Sequence, residues 1–110
     1  MNPVQFRNST AYIVGGDIEA DETGTTIDAG QFRKVCMVAV NTGTNSPAGN
    51  IYIQHSNDDS TWVNGTTAAV AGAETNLLED DLYARYTRFF YDVTSGGATA
   101  TIAVTYTLKS

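Results

Sequence analysis

The stretch from Asn50 to Asn64 constrains the fold most, because it joins a strand, a turn and a return strand. Ile51, Ile53 and His55 alternate with Tyr52, Gln54 and Ser56, which is the period-2 spacing of a pleated strand. The polar run Ser56-Asn57-Asp58-Asp59-Ser60 is typical of a chain reversal, since such side chains bond their own backbone. Trp62 follows and is the only tryptophan, so we expect its ring to anchor the turn. The stretch predicts a β-hairpin.

Similar short strands and turn signals recur along the chain. The last strand is the clearest: Ala98, Ala100, Ile102, Val104, Tyr106 and Leu108 share one face, opposite Thr99, Thr101, Ala103, Thr105 and Thr107. Residues 32–40 predict a central strand with layers on both faces, and residues 41–50 predict a loop. Residues 74–82 leave a helical turn and a short strand open.

These patterns predict an all-β fold, an antiparallel β-sandwich or jelly roll. Residues 12–110 form its single domain, and residues 1–11 precede it as an N-terminal arm. Two interpretations of the arm remain open, a frayed terminus and an extension that pairs with a neighbouring subunit.

Charge and composition exclude several classes of function. The net charge of −6 predicts no nucleic-acid partner, because an acidic chain is repelled by a phosphate backbone. No apolar run approaches the ~20 residues that span a bilayer, so no membrane partner is predicted. Cys36 is the only cysteine and lies in an apolar run, which indicates a core residue and folding in a reducing cytoplasm.

The sequence offers no convincing catalytic or metal site. His55 is the only histidine, and a triad with Asp58 and Ser60 would have no oxyanion hole. We therefore predict that the protein is not an enzyme and has no cofactor. The adjacent acids at residues 79–81 (Glu79, Asp80 and Asp81) are the best candidates for calcium ligands, but no known calcium motif has their spacing, and no metal is predicted.

Two arginines lie within an aromatic segment and are candidates for a subunit contact. Arg85 and Arg88 are interspersed with Tyr83, Tyr86, Phe89 and Tyr91. A guanidinium among aromatic rings stacks on them or pairs with an acid across the sheet. The same residue types are also frequent at interface hot spots.

Part of the chain resembles discoidin-like, galactose-binding β-sandwich modules. The segment Ser56-Asn57-Asp58-Asp59-Ser60-Thr61-Trp62, followed by Ala84-Arg85-Tyr86-Thr87-Arg88, is similar to their pattern S-N-D-G-x-x-W … A-R-Y-x-R. Asp59 stands where that pattern usually has glycine, and the paired cysteines of such modules are missing. The resemblance implies a β-sandwich more than sugar binding.

The whole chain resembles small structural proteins of tailed bacteriophages, the capsid decoration or cement proteins and head-fibre domains. The polar N-terminal arm, the Thr-, Ala- and Gly-rich strands and the segment from Gly96 to Ile102 carry the likeness. It implies a jelly-roll-like subunit, made in the host cytoplasm and located on the capsid surface of the virion. Its implied partners are the major capsid protein and two further copies in a homo-trimer. Val4, Phe6, Tyr12, Arg85 and Arg88 would make the capsid or subunit contacts.

A carbohydrate-binding module of a phage tail or head fibre is the alternative hypothesis. Its site would consist of aromatic and polar residues near loop tips: Asn57, Asp58, Trp62, Tyr83 and Tyr91. A Trp62 inside the core would favour the capsid protein, whereas an exposed Trp62 beside acids and amides would favour sugar binding.

Overall fold

The computed structural model describes residues 6–110, except for the side chains of residues 6–8, 11–14, 17 and 98. All regular elements of the described chain are strands, which confirms the predicted fold class. They are β1 (Phe6–Ile18), β2 (Glu22–Thr23), β3 (Ile27–Asp28), β4 (Lys34–Asn45), β5 (Ala48–Ser56), β6 (Val63–Val70), β7 (Thr75–Asp81), β8 (Tyr86–Ser95) and β9 (Gly97–Lys109).

The strands form two antiparallel sheets that pack as a sandwich. The first sheet has the order β1-β9-β4-β7, and the second has the order β2-β8-β5-β6, with β3 also paired to β8. β5 and β6 are the predicted hairpin, with His55 opposite Val63 and residues 57–62 as its tip. Residues 74–82 follow the strand alternative, since β7 pairs with β4 from Thr75 to Asp81.

The core lies between the sheets and takes one face of each long strand. Ala100, Ile102, Val104 and Leu108 of β9 are buried, as the alternation predicts. In β4 only Val35, Met37 and Ala39 are buried among the apolar residues, whereas Cys36, Val38 and Val40 remain partly exposed on the outer face. The prediction that both faces of this strand are covered is therefore wrong.

The predicted loop over residues 41–50 is also wrong, because only Ser46 and Pro47 separate β4 from β5. The turn-forming residues of this segment instead allow β4 to continue through a β-bulge. Gly43 has φ 124° at a bulge opposite β9, where a Cβ atom would collide with the backbone of Thr99. Glycine alone adopts this conformation without strain, so the strand continues through it.

The N-terminal region differs from the predicted boundary at residue 11. β1 begins at Phe6 and pairs with β9 from Phe6 opposite Lys109 onward. Residues 6–11 are thus part of the first sheet of this same chain. The prediction of a separate arm is left to residues 1–5, which lie outside the described residues.

Candidate functional site

The outer face of the second sheet carries a row of planar polar groups that ends under the tryptophan. Arg88 Nε donates to Gln54 Oε1 at 2.8 Å, and Gln54 Nε2 donates to Asn64 Oδ1 at 2.8 Å. The three residues are directly opposite one another on β8, β5 and β6. Arg88 Cζ lies 4.0 Å from the centroid of the Trp62 ring, a cation–π contact that fixes the indole over this row.

The position of Trp62 does not choose between the capsid-protein and sugar-binding hypotheses, because its side chain is neither in the core nor fully exposed. Its side chain is partly buried, and it packs on Arg88 near amides and the acid Asp59. Burial lowers the pKa of Arg88, and the charge of Asp59 opposes that change. The guanidinium remains charged, because an arginine keeps its proton far above neutral pH.

An aromatic row lies beside this polar row on the same face. Tyr52 is opposite Phe90, and their ring centroids are 6.3 Å apart. The next row contains Asn50 opposite Asp92. Both rings are partly exposed, so an apolar strip runs between two rows of hydrogen-bonding side chains.

The hairpin tip is held by its own aspartates. Asp58 Oδ1 accepts hydrogen bonds from the backbone N–H groups of Thr61 (2.8 Å) and Ser60 (2.9 Å) and from the Ser56 hydroxyl (2.9 Å). These bonds, led by that of Thr61, lower the pKa of Asp58. Asp59 has φ 59°, in the left-handed region, and its Oδ1 accepts a bond from Thr26 Oγ1 at 3.0 Å. Both acids thus shape the turn.

A partly buried hydrogen-bonded pair joins the two sheets near this tip. His55 Nε2 lies 2.7 Å from Asp80 Oδ2, which also accepts the backbone N–H of Thr66 at 3.2 Å. A Cβ atom on Gly65 would collide with the same carboxylate oxygen, so glycine is needed there. Partial burial raises the pKa of Asp80, but the bonds from His55 and Thr66 outweigh it, and the net pKa is lowered.

The three adjacent acids of β7 do not converge on a metal ion. Asp80 points inward to His55, while Asp81 lies 3.7 Å from Lys34 Nζ and Glu79 is exposed. Within residues 6–110, no group of three or more His, Cys, Asp or Glu side chains could hold a metal. The best calcium candidate of the sequence is therefore not assembled.

The residues predicted for the sugar site are not brought together as a set. Tyr91 is fully buried, and its hydroxyl donates to Pro47 O at 3.0 Å, so its place in that site was wrong. Asn57 and Asp58 line a shallow groove with His55 near the hairpin tip. Tyr83 lies at the same end and is 92% exposed.

The residues predicted for capsid or subunit contact have different settings. Arg85 is exposed, pairs with Asp28 at 3.1 Å and lies 5.0 Å from the Tyr86 ring centroid. Arg88 is held in the row under Trp62. Val4 and the side chains of Phe6 and Tyr12 lie outside the described residues.

The outer face of the first sheet is an apolar surface that the sequence did not reveal. Leu77 is 63% exposed and lies opposite Val38, and Val40 lies opposite Ala103 on the same face. The polar neighbours on β9 are threonines, so the face has little charge near its centre. The signal was present in the strand β4 but was taken to indicate a covered face.

The fold defines an antiparallel β-sandwich that recurs in other solved structures. It is similar to the PBSX exported protein XepA, with a TM-score of 0.72 and 17% identity over 94% of this chain and 37% of XepA. The chain thus spans little more than a third of that relative. It is also similar to the SPBc2 prophage-derived protein YomS, with a TM-score of 0.63 and 12% identity over 100% of this chain and 97% of YomS.

A chain of the T13 IBDV viral particle has the same fold, with a TM-score of 0.59 and 16% identity over 98% of this chain and 31% of its own length. Comparison with curated proteins gave no match. The protein belongs to the family described as Domain of unknown function (DUF6385), whose profile matches residues 28–110. The described part of the chain contains no helix with the length and apolar character needed to cross a membrane.

We predict that Asp80→Asn destabilises the protein by about 1–3 kcal/mol at neutral pH, because the donors on His55 and Thr66 lose their charged acceptor. The pKa of Asp80 is lower in the folded than in the unfolded chain, so its contribution is complete above about pH 4 and is lost as the pH falls through the folded value. Urea unfolding from neutral to acidic pH should show the wild-type advantage shrinking below about pH 4. Exposed Glu79→Gln is the matched control, and its stability is expected to lie within about 0.5 kcal/mol of the wild type. An equal loss of stability in both variants would contradict the role assigned to Asp80.

A second prediction concerns the left-handed residue at the hairpin tip. Asp59→Gly and Asp59→Val both lose the bond from Thr26, so their difference reports the backbone alone. We expect the valine variant to be less stable than the glycine variant by about 1–2 kcal/mol, since a branched residue is disfavoured at φ 59°. Urea unfolding of the two variants measures this difference, and equal stabilities would exclude the left-handed conformation.

Proposed function

We propose that this chain is a structural protein of a phage particle that acts through contact and not through catalysis. The observation that carries the proposal is the similarity of fold over the full chain to a prophage-derived protein and to a viral-particle chain. A partly buried pair of polar side chains, His55 and Asp80, also joins the two sheets. A rigid block of this kind is suited to holding neighbouring subunits together.

In its finer form, the proposal locates the protein on the outside of the capsid, at junctions between copies of the major capsid protein, as a trimer. The apolar outer face of the first sheet, centred on Val38 and Leu77, supplies a contact surface. Exposed apolar side chains at the centre of such a surface contribute most of the contact energy. Three linked subunits would bind together, so each single contact can be weak.

The N-terminal segment is a second proposed contact. β1 is an edge strand of 13 residues, and an edge of this length can accept a strand from a neighbour. Val4, Phe6, Tyr12, Arg85 and Arg88 remain predicted contacts with the capsid or with neighbouring subunits. A truncation that tests the arm should stop at residue 5, because residues 6–10 pair with β9.

The proposal predicts that a tagged copy of the chain sediments with phage particles on a density gradient, after induction of a lysogen that carries the gene. Leu77→Ser should reduce the bound fraction at least about tenfold while the fold is retained, because Leu77 is 63% exposed. Buried Leu78→Ser is the matched contrast and should lower stability instead. At low salt and high protein concentration, light scattering should approach about three times 11.7 kDa for the free protein.

A chain that stays at the top of the gradient, with particles present below, would overturn the proposal. If the protein binds the particle but is a monomer in solution, the structural role would stand and the proposed trimer would be excluded. Circular dichroism of each variant separates a lost contact from a lost fold.

Carbohydrate binding is the second candidate, and the outer face of the second sheet favours it. The strip of Tyr52 and Phe90 lies between the row of Asn64 and Arg88 and the row of Asn50 and Asp92. A pyranose ring has an apolar face and hydroxyl groups at its rim, which matches an aromatic strip between polar rows.

This candidate predicts a change in Trp62 fluorescence when oligosaccharides from a bacterial cell wall are titrated into the protein. Trp62 reports the strip because it is stacked on Arg88 in the adjoining row. Tyr52→Ala should abolish the change, whereas Tyr83→Ala, in the loop between β7 and β8, should leave it unaltered. A titration without any response would exclude binding of these sugars on this face.

A further inference from the structure

The charged residues are divided unequally between the two ends of the sandwich. We define the lower end by the loops at residues 29–33, 57–62 and 82–85, and the upper end by residues 19–21, 71–74 and 96. All six lysines and arginines lie toward the lower end. They are Arg7, opposite Leu108, together with Arg33, Lys34, Arg85, Arg88 and Lys109.

The upper end carries acids without lysine or arginine. Glu19 lies against Gly96, where a Cβ atom would collide with its carboxylate. Asp21 Oδ1 accepts the backbone N–H of Val93 at 3.0 Å, and Glu74 Oε1 accepts that of Ala71 at 2.8 Å. Six of the twelve acids lie toward the lower end, at positions 28, 58, 59 and 79–81, and balance the six cations there. The lower half of the sandwich is therefore neutral, and the net charge of −6 belongs to the upper half, where Glu19, Asp21 and Glu74 lie in the end loops.

Within this neutral lower end, one groove has more cations than carboxylates. It has a volume of about 410 Å³ and is lined by Arg33, Lys34, Asp81, Leu82 and Tyr83. Lys109 is adjacent, since its carbonyl accepts the Arg33 N–H at 2.8 Å. Tyr83 is 92% exposed, more than the other large apolar side chains of the described chain. Cations beside an exposed aromatic ring are typical of a protein contact.

We propose that the upper end of one copy docks into this groove of a second copy. Charge complementarity identifies the occupant. The groove presents Arg33 and Lys34 against one carboxylate, that of Asp81, which lies 3.7 Å from Lys34 Nζ. The upper end presents Glu19, Asp21 and Glu74. The two surfaces are different, so the contact is heterologous, and repetition gives a closed ring or an open chain. A closed ring of three copies would be the trimer of the proposed function and depends on that proposal. The contact between two copies does not depend on it.

The shape of the molecule sets the strength of this contact. The sandwich measures 49 × 27 × 19 Å, so an end face covers roughly 500 Å², below the about 800 Å² per partner of a stable interface. Association is therefore weak and depends on concentration. It also depends on salt, because exposed charges are screened beyond about 8 Å at physiological ionic strength.

The test is sedimentation velocity of the full chain over a range of concentrations at low and high salt. We expect a mass that rises above 11.7 kDa with concentration at low salt and returns to the monomer at high salt. Arg33→Glu and Glu19→Lys should each weaken association about tenfold or more, because each places like charges across the contact. The two reversals combined in one chain should restore it, at the net charge of the wild type.

The variant Thr25→Glu with Thr101→Glu controls for net charge, because both positions are exposed and lie away from the groove, the upper-end loops and Val38. It should associate as the wild type does. A wild type that stays monomeric at low salt would overturn the proposal, and so would a combined reversal that fails to restore association. If the chain binds phage particles but does not self-associate, this contact would be excluded and the structural role would still stand.

Discussion

The whole molecule depends on one constraint: each long strand has a single face to give to one shared core. Val35 and Met37 point into that core, so Cys36 and Val38 must point out of it. The outer faces of both sheets consequently lie outside that core, and Trp62 covers part of the second one at Arg88. These faces, the strand edges and the two ends are the surfaces that the chain presents to other molecules.

The polar groups that reach the interior serve the same constraint. Asp80 joins β7 of the first sheet to β5 and β6 of the second through His55 and Thr66. Tyr91 joins β8 to the crossing at Pro47. Such bonds are costly to leave unmade once they are shielded from water, so each of them fixes the relative position of two elements. The result is a sandwich whose two sheets are joined by hydrogen bonds as well as by the apolar core.

The sequence predicted best where one strand and one turn decide the structure. The alternation of β9 and the polar tip between Ser56 and Trp62 are local signals, and both were predicted correctly. The pattern shared with discoidin-like modules marked a real contact, since its tryptophan and its last arginine are Trp62 and Arg88, which stack. Its glycine position is held by Asp59 at φ 59°, the conformation that glycine favours.

The misses share a different origin. Gly43 reads as a turn residue, but the neighbouring strand β9 makes it a bulge within β4. The apolar run of that strand does not tell whether a second layer covers its outer face. In the sequence, nothing distinguishes Asp80 from its neighbours Glu79 and Asp81, and only the fold places His55 beside it. Glu74 likewise reaches the end that contains Glu19 only through the topology, so acids that are far apart in the sequence lie toward one end of the sandwich.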